Sequence, residues 1–409
     1  MAEKKCYNII LGNAPIINGN KGCLALTYSI IYILDQVFEQ SQCDYKLFIR
    51  NSLDKDFDIH TLSIGKRSVS YQSFGYTLGK AHNTHPWWLF KALFWQTKIN
   101  WQIWRQADFV LDIGEGDSFS DIYGIKRLNK ENRIHVLARL FHKPYGFLPQ
   151  TLGPFESVRA QRLAQRAFAC SRFIMARDAL SYKAVKDLVP HHINVNEYID
   201  FALPYEAVRF DKGLCHVGIN ISALLWNGGY NRNNQFHLVE DYPIVIREII
   251  DWFIQHSTVQ VHLIAHVINP TGAIEDDYRI CESLCHAYSS SRVVIAPAFA
   301  TPIEAKNYIA GLDFFIGARM HSTIAAYSAH VPVVPMAYSR KFNGLYRDTL
   351  QYNHLVDLKQ DSRKDILRTI QTAFEQREEI KASLLSQDIP SQRIELIVAD
   401  LKKHLCPQC

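Results

Sequence analysis

The chain of 409 residues lacks several features that would assign it to a common class of protein. No apolar run is long enough to cross a membrane, and no apolar segment of the signal-peptide type follows Met1–Lys5. No tract of lysine and arginine of the nucleic-acid-binding type is present, although the formal net charge is +5. Repeats and low-complexity tracts are also absent. We therefore expect a cytoplasmic globular protein that binds no nucleic acid and whose mild positive charge suits small anions or a phospholipid surface.

The nine cysteines form no recognisable framework. Cys281 and Cys285, and likewise Cys406 and Cys409, are close pairs that lack a second pair at the spacing of a zinc site. Thiols are usually reduced in proteins that are not secreted. We expect neither disulfide bonds nor a bound metal.

The composition, with 48% apolar and 21% charged residues, is that of a soluble globular protein, and the length predicts two domains. Strand-like and helix-like segments alternate along the chain, which predicts an α/β fold. We place the first domain at residues 1–205 and the second at 206–409, with closing helices from about residue 362, the last of which packs on the first domain. The predicted strands are Tyr7–Leu11, Tyr45–Ile49, Phe109–Ile113, Tyr145–Pro149, Phe173–Ala176, His216–Ile221, Val259–Ile264, Arg292–Ala296, Phe314–Ile316 and Pro332–Met336.

The most informative stretch is residues 313–322, DFFIGARMHS. Its apolar start predicts the end of a buried strand, and Ser322–His330 predicts a helix, so Arg319 and His321 fall on a strand-to-helix turn. Such turns lie at the carboxyl edge of a parallel sheet, where helix-opening N–H groups favour an anion. The guanidinium can clamp a carboxylate or phosphate, and the imidazole can bind the same anion or move a proton. The alternative is that Arg319 pairs with a carboxylate of the fold and that His321 is a structural histidine.

The loop at residues 114–121, GEGDSFSD, is rich in short polar groups that can bind a sugar. Asp117 and Asp121 can take a proton from an attacking hydroxyl group. The alternative is that Asp117 or Ser118 caps a helix.

Two further positions lie at predicted strand ends. Arg177 follows the strand Phe173–Ala176 and can clamp a ligand, or it can pair with Asp200 as part of the fold. Asn220 ends a strand that leads into a polar loop with Trp226 and Asn227, which can stack on a sugar and hydrogen-bond to it. The alternative for this loop is an exposed surface segment, and His266 is a minor candidate at a neighbouring strand end.

Residues 87–105 contain five tryptophans, with Lys91, Lys98 and Arg105 on one face of a predicted helix. A basic helix rimmed by tryptophan suits peripheral contact with a membrane interface. The alternative is a core helix whose tryptophans pack on the sheet.

Several motifs together resemble the signature of the polysaccharide pyruvyl transferase family, and they cover most of residues 6–345. One departure is Glu115, which stands where many members carry glycine. The motifs are Gly317–Ser322, Val331–Tyr338 followed by Lys341 and Gly344, Gly12-Asn13 with Asn20–Gly22, Asp108–Asp121, Gln150–Pro154, Arg177-Asp178 with Ser181, and Asp200.

The resemblance implies two Rossmann-like domains facing a cleft, an arrangement like that of GT-B glycosyltransferases. It implies transfer of the pyruvyl group of phosphoenolpyruvate to a hexose of a surface-polysaccharide precursor, which can be linked to polyprenyl diphosphate. The donor would be a substrate, and no cofactor is expected. The turn residues Met320 and Ser322 and the nearby Lys341 become expected substrate contacts on the second domain, and the first domain becomes the acceptor side. The alternative function is a nucleotide-sugar glycosyltransferase.

Overall fold

The computed structural model describes residues 4–50, 57–75, 98–116, 118–190, 193–199, 203–255, 258–269 and 271–407. These residues divide into two compact units. Unit 1 comprises Met1–Ile16, Leu26–Ala202 and Gln392–Cys409, and unit 2 comprises Ile17–Ala25 and Leu203–Ser391. The domain limits at residues 205 and 206 stay a prediction. Residues 17–25 belong to unit 2 although most of the chain around them belongs to unit 1.

Unit 1 contains a sheet with the strand order β3-β4-β2-β1-β5-β6-β7-β8. All neighbouring strands are parallel except β3 and β4, which form an antiparallel hairpin at one edge. The strands are β1 Cys6–Gly12, β2 Asp44–Arg50, β3 Ile59–Ile64, β4 Arg67–Phe74, β5 Phe109–Asp112, β6 Tyr145–Gln150, β7 Phe173–Ala176 and β8 Asn194–Glu197.

Unit 2 contains a parallel sheet with the order β11-β10-β9-β12-β13-β14. Counted within the unit this is 3-2-1-4-5-6, the strand order of a Rossmann fold, and the order reverses between its first and fourth strands. The strands are β9 Cys215–Asn220, β10 Val259–Ile264, β11 Val293–Ile295, β12 Phe314–Gly317, β13 Val333–Ala337 and β14 Val356–Asp357.

Helices connect the strands in both units, and many begin with a side-chain cap. Ser157, Asp178, Ser222, Asp241, Asp276, Thr301 and Ser362 each accept a hydrogen bond from a backbone N–H of the first turn. The helices are α1 Lys21–Gln40, α2 Lys98–Gln106, α3 Ile125–Glu131, α4 Arg133–Leu140, α5 Val158–Ala169, α6 Ala179–Lys186, α7 Ala223–Trp226, α8 Tyr242–Ile254, α9 Asp277–Tyr288, α10 Pro302–Ala310, α11 Met320–Tyr327, α12 Arg363–Glu375, α13 Arg377–Gln387 and α14 Ile389–Leu405.

The apolar strands are buried between these helices. In unit 2, β12 and β13 have no exposed residue because helices cover both faces of the parallel sheet. The ten predicted strands are confirmed, with ends that differ by no more than one residue. The hairpin of β3 and β4 was not predicted.

The tryptophan-rich segment is described only from residue 98 onward. Within α2, Trp104 is fully buried and stacks on Phe141, with ring centroids 5.4 Å apart. Trp101 is partly buried, and Arg105 is exposed. Trp104 therefore has the core position of the alternative interpretation, whereas Lys91 and the other tryptophans lie outside the described residues. No helix in the described part of the chain is long and apolar enough to cross a membrane.

Candidate functional site

The turn between β12 and α11 in unit 2 carries the residues singled out in the sequence. This turn lies where the strand order of the sheet reverses, beside the end of β9. In open α/β sheets this is the usual position of a ligand. Arg319 precedes α11, and Met320 and His321 open the helix.

Arg319 binds a carboxylate of the protein itself. Its Nη2 and Nε atoms donate to the two oxygens of Asp277, with a shortest distance of 2.7 Å, and Nη2 also donates to the carbonyl of Glu275 at 3.1 Å. Asp277 is fully buried and Arg319 is nearly so. The structure thus shows the alternative from the sequence analysis, in which Arg319 pairs with a carboxylate of the fold. That Arg319 also contacts a substrate stays a prediction.

Asp277 also holds two backbone segments through three hydrogen bonds. Its oxygens accept hydrogen bonds from the N–H groups of Ala223 at 2.8 Å, Val267 at 2.8 Å and His266 at 3.2 Å. Burial raises the pKa of Asp277, and Arg319 and these donors oppose that rise. The carboxylate therefore joins the start of α7, the end of β10 and the turn before α11.

Asn220 and Ser322, two other predicted substrate contacts, bond the backbone of the turn that carries Arg319. Asn220, fully buried at the end of β9, accepts from the backbone N–H of Arg319 at 2.8 Å and donates to the carbonyl of Ile264 at 2.9 Å. Ser322 donates to the carbonyl of Arg319 at 2.7 Å and is also fully buried. These bonds fix the backbone of the turn, and substrate contacts of Asn220 and Ser322 stay predictions.

The start of α1, together with Asn20 before it, brings a lysine into this region of unit 2. Asn20 pairs with Val267, and the N–H of Lys21 donates to the carbonyl of His266 at 3.0 Å. The ammonium group of Lys21 donates to the carbonyl of Ala300 at 3.1 Å, and the side chain is only 7% exposed. The described residues supply this single acceptor to a group with three donors.

His266 is the second buried polar group of this cluster. Its ring has no hydrogen-bond partner among the described residues, and the residue is 3% exposed. Burial above all, together with the nearby His321, Arg319 and Lys21, lowers the pKa of His266 to about 3. The imidazole is therefore neutral at physiological pH and can donate one hydrogen bond and accept another. Burial also lowers the pKa of Lys21, and Glu304 opposes that shift.

Gly22 lets the start of α1 approach His321. A Cβ atom at this position would lie 2.7 Å from Nδ1 of His321 and 3.0 Å from Oδ1 of Asn20, so any side chain would displace one of them. Lys21, His266 and His321 thus form one cluster, which we call the basic cluster. Sequence reasoning missed Lys21, because its contact with residue 266 spans most of the chain.

The remaining predicted contacts of unit 2 lie apart from these bonds. Met320 is largely buried in the first turn of α11, and Lys341 lies in the short helical turn Arg340–Phe342. Asn227 ends α7 and donates to the carbonyls of Ala223 and Ile274, both at 2.9 Å. The guanidinium of Arg247 lies 4.9 Å from the centre of the Trp226 ring.

In unit 1, Asp121 accepts three hydrogen bonds at the start of α5. The donors are the N–H and hydroxyl of Ser157, at 2.9 and 2.8 Å, and the N–H of Glu156 at 3.0 Å. Burial acts to raise the pKa of Asp121, but these bonds outweigh it and the pKa lies below its usual range. The carboxylate is thus a weakened base, and its catalytic role stays a prediction.

Asp117 and Arg177 are the other predicted site residues of unit 1. Asp117, like Asp200, lies outside the described residues. Arg177 is almost completely buried after β7, with Nε 3.7 Å from Oδ2 of Asp178. Asp178 in turn caps α6 through the N–H of Ser181. Within the fold, Arg177 therefore lies beside the carboxylate of the next residue, Asp178. That Arg177 binds a ligand stays a prediction.

A polar network that sequence reasoning missed surrounds the end of β5. Asp112 is fully buried, accepts from Nδ2 of Asn13 at 2.6 Å, and lies 3.2 Å from Nε2 of the buried His135. Gln150 donates to the carbonyl of Asp112 at 2.8 Å. Only the position of Asp112 at a strand end hinted at this arrangement, because His135 lies in the interior of α4.

Beside this network, Arg127 joins two glutamates. Its Nε atom lies 3.0 Å from Oε1 of the buried Glu131, and its Nη2 atom contacts the carboxylate of Glu115. Glu115 has φ 47° and ψ 21°, the left-handed conformation that glycine adopts without strain. The ion pair with Arg127 compensates for a strain of roughly 1–2 kcal/mol at this departure from the family pattern.

No group of three or more His, Cys, Asp and Glu side chains in the described ranges could hold a metal ion.

We expect Arg319→Ala to lower the free energy of unfolding by about 3–5 kcal/mol, because it leaves the carboxylate of Asp277 buried without a countercharge. Urea denaturation of the variant and of Arg347→Ala measures this effect. Arg347 is exposed in the same unit, and its loss should change stability by no more than about 0.5 kcal/mol. Equal effects of the two substitutions would contradict the role given to the ion pair.

A second prediction concerns Glu131, since burial and Glu115 raise its pKa from 4.5 to about 7. The folded state binds this proton more tightly than the unfolded state, so the contribution of Glu131 to stability is full below pH 4.5 and is lost as pH rises through 7. The loss is on the order of 3 kcal/mol. The difference in unfolding free energy between wild type and Glu131→Gln should therefore change across this range, and a difference that is constant with pH would refute the assignment.

The fold is shared with sugar-nucleotide enzymes. A putative UDP-N-acetylglucosamine 2-epimerase from Listeria monocytogenes matches with a TM-score of 0.58 at 10% identity, covering 98% of this chain and 97% of that one. A UDP-GlcNAc 2-epimerase from Neisseria meningitidis, bound to UDP-GlcNAc, matches with a TM-score of 0.57 at 11% identity, covering 98% of this chain and 100% of that one. The E. coli protein described as "Trehalose-6-phosphate", bound with UDP-2-fluoro glucose, matches with a TM-score of 0.55 at 11% identity, covering 97% of this chain and 99% of that one.

These identities establish the fold alone, and the predicted GT-B-like class with two Rossmann-like domains is confirmed. No curated protein sequence matches the chain. Residues 20–340, however, match the model of one family, and they include the basic cluster, the Arg319–Asp277 pair, and Asp112 with His135 and Gln150. The chain therefore belongs to the polysaccharide pyruvyl transferase family.

Proposed function

We propose that this protein transfers the pyruvyl group of phosphoenolpyruvate to two hydroxyl groups of a hexose in a surface-polysaccharide precursor. The products are a cyclic ketal and inorganic phosphate. The observation that carries the proposal is the basic cluster, in which a buried ammonium and a buried imidazole retain donors that the described residues do not use. Buried donors of this kind are costly unless a ligand satisfies them, and a phosphate or carboxylate supplies several acceptors.

The charge balance of unit 2 supports an anionic donor. Asp277 neutralises Arg319, so the remaining positive charge comes from Lys21, which Glu304 partly balances, and from the positive end of α11. Neutral His266 adds a hydrogen-bond donor without adding charge. Arg319 then acts mainly by holding the turn that presents His321 and Met320, while Lys21 contacts the anion.

The reaction needs a proton donor beside the anion. Protonation of the methylene carbon of phosphoenolpyruvate generates a cation at its second carbon, which one sugar hydroxyl attacks. A neighbouring hydroxyl then displaces phosphate and closes the ketal. His321 is the candidate acid, since its ring lies against the start of α1 beside Lys21. This chemistry uses phosphoenolpyruvate as a substrate and no cofactor.

The acceptor hydroxyls must lose their protons, and we assign this task to unit 1. Asp117 is the preferred base, because the hydrogen bonds to Asp121 weaken that carboxylate. The acceptor sugar can be linked to polyprenyl diphosphate at the inner face of the membrane. The protein would then act in the cytoplasm, with peripheral membrane contact through residues 87–105.

The proposal is tested by measuring phosphate release from phosphoenolpyruvate in the presence of hexose-containing polyprenyl diphosphates, and by detecting the ketal on the acceptor by mass spectrometry. Lys21→Met should raise the KM for phosphoenolpyruvate at least about tenfold, because a desolvated charge contact is lost. Lys359→Met, which removes an exposed ammonium from the same unit, is the matched control and should leave KM unchanged.

Circular dichroism and thermal melting establish that both lysine variants are folded. If the wild type releases no phosphate with any acceptor, or if the two lysine variants behave alike, the proposed donor site is wrong. If the wild type instead transfers hexose from a nucleotide sugar, the protein is a glycosyltransferase.

A further inference from the structure

The connection between β9 and α8 in unit 2 encloses a pocket of about 490 Å³. This volume lies within the range of about 300–1,000 Å³ that is typical of small-molecule sites. The pocket is lined by the end of α7, the loop that follows it and the start of α8, including Trp226, Asn227, Arg232, Asn233, Glu240 and Asp241.

The loop that forms the pocket is held in an unusual conformation. Arg232, Asn234 and His237 have φ values of 56°, 42° and 55°, in the left-handed region that costs a residue with a side chain about 1–3 kcal/mol. Asn234 compensates by bonding the backbone of Leu238 twice, at 2.8 and 2.9 Å. The loop is therefore a defined structure that maintains a concave surface.

Trp226 supplies the aromatic wall of the pocket. The guanidinium of Arg247 lies 4.9 Å from its ring centre, which fixes the orientation of the indole. No hydrogen bond joins the indole N–H to any residue in the described ranges, so this donor remains for a ligand. A fixed aromatic ring beside polar groups suits the apolar face and the hydroxyl rim of a sugar.

The charges at the pocket are balanced and do not favour an anion. The carboxylates of Glu240 and Asp241 stand against the guanidinium of Arg232 in the lining and that of Arg247 at the Trp226 ring. Each carboxylate accepts one backbone hydrogen bond, from Arg363 at 3.1 Å and from Ile244 at 3.0 Å respectively, and keeps further lone pairs. The side chains of Arg232 and Asn233 bond to none of the described residues. The pocket thus offers both donors and acceptors, the combination that a neutral polyol requires.

We propose that this pocket binds a neutral saccharide unit. It is connected to the Arg319–Asp277 pair by α7, since Ala223 at the start of this helix bonds Asp277 and Trp226 at its end lines the pocket. Asp277 also accepts from the backbone N–H of His266, a member of the basic cluster. A helix of four residues spans about 6 Å, so the pocket and the ion pair are neighbours. The saccharide is then the unit of the acceptor next to the one that receives the pyruvyl group. This last step rests on the proposed function, whereas saccharide binding itself does not.

The test uses saturation-transfer difference NMR on the full chain with lactose, maltose and cellobiose as neutral probes, and with UDP-glucose as an anionic comparator. At least one disaccharide should bind, and phosphoenolpyruvate should not displace it. Asn233→Ala and Arg232→Ala should each weaken binding about five- to tenfold, the effect of losing one or two hydrogen bonds. Asn353→Ala and Arg347→Ala are the matched controls, because both residues are exposed outside the pocket.

Trp226→Leu should abolish the saturation-transfer signal of the disaccharide, provided that circular dichroism shows the variant to be folded. If this variant does not fold, Asn233→Ala and Arg232→Ala still test the proposal. The proposal is overturned if none of the three disaccharides binds, if the control variants weaken binding as much as the pocket variants, or if phosphoenolpyruvate competes with the sugar. It is also overturned if UDP-glucose binds through its uracil and Trp226→Leu removes that contact, since the pocket is then a nucleotide site. Disaccharide binding without pyruvyl transfer would contradict the proposed function alone.

Discussion

The ion pair between Asp277 and Arg319 organises the carboxyl edge of unit 2. Four separate elements meet at this pair: the start of α7, the end of β10, the start of α9 and the turn before α11. Both side chains lie in the interior, where an unpaired charge is far more costly than at the surface. The turn that carries Met320 and His321 consequently has a fixed position.

This pairing separates two roles that an arginine at a ligand site can combine. Because the carboxylate occupies the Nε and Nη2 atoms of Arg319, the guanidinium shapes the site and contributes little net charge to it. In the proposed function, a second cation attracts the anionic substrate, and we assign this role to Lys21, which lies far from Arg319 in the sequence. Its segment belongs to unit 2 although the rest of α1 belongs to unit 1. In unit 1, Arg127 likewise pairs with carboxylates of the protein, those of Glu131 and Glu115, beside the polar network around Asp112.

Much of the fold follows from local sequence patterns, whereas most of the site does not. Apolar runs such as Phe314–Ile316 and Val259–Ile264 predict buried strands because parallel strands are apolar on both faces. The strand-to-helix pattern and the resemblance to a family directed attention to the turn that carries Arg319. The partner of Arg319 could not be predicted, since Asp277 lies 42 residues away without a motif. Lys21 and His135 were missed for the same reason: their importance arises from burial and from contacts distant in sequence. The sequence also did not reveal that Asp121, chosen for its chemistry, bonds Glu156 and Ser157 just before α5.

The central claim is that the basic cluster of unit 2 receives the anionic donor phosphoenolpyruvate. Isothermal titration calorimetry tests it most directly, with phosphoenolpyruvate, inorganic phosphate and a panel of nucleotide sugars titrated into the full chain. The account predicts that phosphoenolpyruvate binds one site, that inorganic phosphate competes for that site, and that His266→Phe, which removes the ring nitrogens, weakens both. Binding of a nucleotide sugar in the absence of any heat from phosphoenolpyruvate would contradict it.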